Sequence, residues 1–171
     1  MKLGFVFGCV AALATTAASA QPPLTREMVM QRIAAGRPSD GLSATPIGPA
    51  RCHGAALRVC ASAVAGAVLT TYESKLSGEV QMVDAVLPLT TMMSGPPPVA
   101  MSVVLGLVFA YEPEIEASDL AKVIEPMMSI MRKGFTAATL EQNQEGVSQH
   151  GKSRFFVRIG NEGVRLSAFR E

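Results

Sequence analysis

The chain of 171 residues has no tryptophan, two tyrosines and two histidines, His53 and His150. General acid–base and nucleophilic catalysis need several convergent groups, and such groups are scarce here. Gly-x-Ser-x-Gly, His-Glu-x-x-His and a phosphate-cradling glycine loop are all absent. Catalysis is therefore disfavoured, and no cofactor is expected. No Asn-x-Ser/Thr sequon occurs, which leaves no N-glycosylation mark and favours a bacterial envelope setting. Charge of one sign is also lacking, with 15 Lys+Arg against 14 Asp+Glu, so nothing points to nucleic acid. Two long apolar runs fall short of the roughly 20 residues a membrane span needs. The run 55–71 contains Arg58, and 99–111 is too short, so no stable span is expected.

The N-terminus is more informative. Met1-Lys2 supplies a positive start, Leu3 to Ala14 is apolar or small, and Ala18-Ser19-Ala20 is a small-x-small cleavage signature. Together they read as a secretory signal peptide over 1–20, cleaved after Ala20, with the mature chain periplasmic or secreted. The alternative, lipidation at Cys9, needs a longer apolar region before the cysteine. Cys9 leaves with the signal, and Cys52 and Cys60 remain. An even pair in an oxidising compartment is expected to form one disulfide closing a short loop. A free thiolate is the competing reading.

Residues 21–50 are expected to be a loosely attached leader. It comprises a helix capped by Thr25 and ending near Ala35, then a Pro/Gly-rich linker over 36–49. A single domain fills 51–171. Within it, Tyr72-Glu73 and Tyr111-Glu112 recur at a spacing of 39 residues. Val83 to Pro88 resembles Leu120 to Pro126, and both stretches run into methionine pairs, Met92-Met93 and Met127-Met128. This predicts two copies of a strand–helix unit. Val99 to Tyr111 lacks alternation and is read as a strand buried on both faces. The stretch around Val80 to Met93 is read as a helix. Ser118 to Lys133 carries one apolar stripe and is also read as a helix. Arg154 to Ile159 and Val164 to Phe169 form a hairpin across Gly160-Asn161-Glu162-Gly163. The fold class is thus α/β or α+β. Two strand–helix units and a C-terminal antiparallel hairpin would make one mixed sheet with helices on one face.

Two residue sets could carry function. Arg154, Phe156 and Arg158, with Arg165, share the outward face of the hairpin and could hold an anionic or carboxylate-bearing partner. Met127, Met128 and Met131, with His53 and His150, are the only candidates for a metal, copper being the soft ion that thioethers prefer. Buried packing explains the methionines better. The expected function is a non-catalytic envelope protein, of binding, inhibitor or immunity type, that holds a protein partner or small ligand. The alternative is periplasmic copper handling. Mass mapping of the unreduced protein should recover linked peptides containing Cys52 and Cys60; two freely alkylated thiols would contradict the disulfide.

Overall fold

The computed structural model describes residues 23–35, 47–64, 66–88, 98–132 and 144–171. The expected signal peptide over 1–20 with Cys9, most of the expected linker (36–46), Met92-Met93 and the segment 133–143 lie outside the described residues.

Among the described residues, three helices accompany one seven-stranded sheet, an α+β arrangement. Helix α1 spans Arg26–Ala35, α2 Pro98–Tyr111 and α3 Ala117–Arg132. The strands are β1 Arg51–His53, β2 Leu57–Val64, β3 Ala67–Ser74, β4 Val80–Leu87, β5 Glu145–His150, β6 Ser153–Gly160 and β7 Gly163–Arg170. Their order across the sheet is β1-β2-β3-β4-β7-β6-β5. Every neighbouring pair is antiparallel, so the sheet is not mixed. It consists of two consecutive meanders, β1 to β4 and β5 to β7, joined along β4 and β7.

Period-two burial sets the inward face. Ala67, Leu69 and Thr71 on β3 are buried, as are Phe155, Val157 and Ile159 on β6, while their neighbours in sequence are more exposed. Helices α2 and α3 cover this face. The Tyr111 ring meets Phe155 edge-on, with centroids 6.2 Å apart. Helix α3 comes so close to β5 and β6 that a Cβ on Gly146 would lie 2.6 Å from Ile130 Cδ1 and 3.1 Å from Val157 Cγ1.

The strand–helix repeat is not present. Residues 61–72 fold back on themselves as a β2–β3 hairpin around Gly66, whose φ is 81°. The matching residues 100–111 are helical. Helix α2 was expected as a strand because it is apolar on every side. A helix buried all round loses the 3.6-residue signature that would reveal it. Conversely, the stretch expected as a helix around Val80 is strand β4, which pairs with β3 and β7. Helix α3 matches its expected span and runs on through Pro126. The terminal hairpin pairs as expected, Gly160 opposite Gly163 and Phe155 opposite Ala168.

The leader helix is not loosely attached. Val29 and Ile33 are buried, and a Cβ on Gly106 of α2 would lie 3.4 Å from Ile33 Cγ2. The segment before it also joins the sheet margin, where the Val80 amide donates to the Leu24 carbonyl at 2.7 Å. Cys52 and Cys60 form the disulfide. They stand directly opposite each other in the β1–β2 register, with Cα atoms 4.1 Å apart. β1 is only three residues long and fully exposed, so the bond pins a strand that has little packing of its own.

Gly146→Ala should lower the free energy of unfolding by about 1–3 kcal/mol, the usual cost of overpacking, measured by urea denaturation. An unchanged midpoint would mean that α3 can retreat from the sheet freely.

Candidate functional site

The outward face of the sheet is built by the residues that alternate with the core. Register aligns them in rows. Val86 opposes Arg165, which opposes Arg158, which opposes Glu145. In the next row Asp84, Ser167, Phe156 and Val147 follow one another, and in the third Met82, Phe169, Arg154 and Gln149. Arg154, Phe156, Arg158 and Arg165 therefore do share one face.

Phe156 does not stand alone there. Its ring stacks on Phe169 with centroids 5.4 Å apart and planes 14° from parallel. Beside the stack lies a shallow hollow of about 280 Å³ bounded by Met82, Phe156, Arg158, Arg165, Ser167 and Phe169. A second hollow of about 330 Å³ lies at the β6–β7 turn and shares Arg158 and Arg165 with the first. Val68 and Val147 extend the apolar surface, 46% and 52% exposed. An exposed patch of this kind, rimmed by charge, marks an interaction surface more often than a lone exposed side chain does.

The electrostatics differ from the sequence reading. Arg158 lies 3.4 Å from Glu145, Arg165 lies 3.6 Å from Glu162, and Arg154 lies 2.7 Å from Glu171. These pairs are solvated and add little stability. They do neutralise the rim, and they relieve the like-charge opposition of Arg158 and Arg165 across the hairpin. The face therefore has no net basic pull on an anion.

Next to this rim, Asp84 is nine-tenths buried, and the Tyr72 hydroxyl donates to its Oδ2 at 3.3 Å. Burial, followed by the charge of Asp84 and that hydrogen bond, raises the Tyr72 phenol above its ordinary value. The Tyr111 phenol is raised much further, chiefly by burial. In both cases the fold favours the neutral phenol. Their contribution to stability is complete below the ordinary phenol value and is lost as pH climbs through the raised values.

Of the metal candidates, the two histidines are not brought together. Met127 is buried in the core and Met128 is half-buried. The Met131 side chain lies outside the described residues. His53 is on β1 and His150 on β5, the two opposite edges of the sheet. Six strand spacings of about 4.8 Å put those edges roughly 29 Å apart. Among the described residues, no group of three or more His, Cys, Asp or Glu side chains could hold a metal ion.

Sequence reasoning missed Phe169, Met82 and the three acids that neutralise the arginines. Phe169 was legible, since it has the same parity along β7 as Arg165. Met82 was not, because β4 was read as a helix. No known protein family, curated protein or solved structure matches the chain.

Asp84→Asn should bring the Tyr72 phenol down toward its ordinary value. Spectrophotometric titration can resolve this, since Tyr111 titrates later. An unmoved first phenol transition would show that Asp84 does not face Tyr72.

Proposed function

We propose that this is an exported, non-catalytic envelope protein that holds a protein partner on the outward face of its sheet, around the Phe156–Phe169 stack. That stack is the observation carrying the reading. Two aromatic rings lie half-exposed on a rigid strand pair, flanked by guanidinium groups. Aromatic residues and arginine are the types most enriched where protein partners bind tightly. Because each arginine already has a carboxylate within 4 Å, the partner is not selected for negative charge. It is a surface with an apolar centre and a rim of mixed charge, which can exchange pairs with Arg158 and Arg165. A partner bound in the inhibitor or immunity manner has this chemistry.

The address rests on the Ala18-Ser19-Ala20 signature at the end of the apolar N-terminal run, and the Cys52–Cys60 disulfide is the covalent chemistry an oxidising compartment permits. No helix among the described residues is long and apolar enough to cross a membrane.

A photo-crosslinking residue placed at Phe156 should capture a discrete protein from the native envelope fraction. The same label at His53, on the far edge, should not. Arg158→Glu should weaken the capture, and Phe156→Ser should reduce partner affinity by at least about tenfold, the loss typical of a central aromatic contact. Equal labelling from both positions would remove this face as the binding surface.

A further inference from the structure

The acidic run Glu112, Glu114 and Glu116 has no role in the partner face. It forms the connection between α2 and α3 and makes one wall of a separate cleft of about 590 Å³. The same cleft is lined by Arg32 from α1, Arg170 from the end of β7 and His150 from β5. Both guanidinium groups are held in place: Arg32 donates to the Ala110 carbonyl and Arg170 to the Tyr111 carbonyl, each at 2.6 Å. A guanidinium has five N–H donors, so each retains donors beyond that one bond. Glu112 is held as well, because the fully buried Ser153 hydroxyl donates to its Oε1. A carboxylate accepts several hydrogen bonds, so Glu112 keeps acceptor capacity. Asp119, on the same rim, is occupied by Lys122 at 2.7 Å. Leu24, Met28 and Ile115 give the cleft an apolar part.

The geometry points to a binding site for a zwitterion, a small molecule carrying an ammonium, a carboxylate and an apolar side chain. A simple anion drawn to Arg32 and Arg170 would face Glu112 and Glu114. A metal cation finds no set of three ligands among the described residues. A ligand with both charges satisfies the cationic and the anionic groups of the cleft. Its carboxylate takes the free edges of the guanidinium groups, since such charge-assisted bonds are the strong ones. Its ammonium lies on Glu112, and its side chain covers Met28 and Ile115. A free amino acid and a short peptide share this chemistry.

Calorimetric titration tests it with L-leucine, leucyl-leucine, N-acetyl-leucine and leucinamide. Either zwitterion should bind, and each singly blocked compound should bind at least about tenfold more weakly. Tighter leucine identifies a free amino acid, and tighter leucyl-leucine a peptide. Glu112→Gln keeps an acceptor for Ser153, so it should leave the melting temperature unchanged. It should weaken leucine at least about tenfold but not weaken N-acetyl-leucine, which has no ammonium and would face one carboxylate fewer. No binding of either zwitterion at millimolar concentration would overturn the proposal. So would equal binding of the blocked compounds, or an unchanged leucine affinity in Glu112→Gln.

Discussion

The buried C-terminal end of α2 is the constraint on which the rest of the molecule depends. The last carbonyls of any helix have no partner within it. Ala110 and Tyr111 are fully buried, so water cannot serve them, and α2 brings no basic residue of its own to its last turn. Arg32 and Arg170 supply the donors instead, one from the first helix and one from the last strand. Positive charge at this end also complements the helix dipole. Arg170 lies over the Tyr111 ring at 5.9 Å, and Tyr111 meets Phe155 on the sheet. The two ends of the described chain are therefore tied to its middle. An N-terminal helix that reads as peripheral in the sequence is, for this reason, part of the core.

Much of the fold was legible where one period was clear. Helix α3 carries a single apolar stripe. Strands β6 and β7 alternate around a glycine-asparagine turn. What failed was the apolar middle. Val103, Val104, Leu105, Leu107 and Val108 are all buried, so the side facing the sheet and the side facing α1 look the same in sequence. A short apolar run cannot be told from a buried strand by period alone. Once α2 was read as a strand, the tyrosine–glutamate coincidence made a repeat look consistent, and Val80 to Leu87 was read as a helix to match.

The candidate face was legible within one strand and hidden across strands. Arg154, Phe156 and Arg158 announce their shared side by parity. Whether they are free or neutralised depends on Glu145 and Glu171, which come from the neighbouring strand and the chain end. The cleft beneath the acidic connection was hidden for a similar reason. Its walls come from α1, the α2–α3 connection, β5 and β7, four segments that only tertiary packing brings together.

The order of the strands bears on how the chain reaches this state. Within each meander, every pairing joins segments adjacent in sequence, and such hairpins close rapidly. The β4–β7 seam is different: it joins residues numbered in the eighties to residues numbered in the 160s. Closing a loop of that length costs entropy before its contacts can form, and non-local pairing of this kind slows folding. The seam is thus the natural late step, and until it forms, β4 and β7 each present an unpaired edge. A half-assembled sheet with two such edges is the form that must be kept from aggregating.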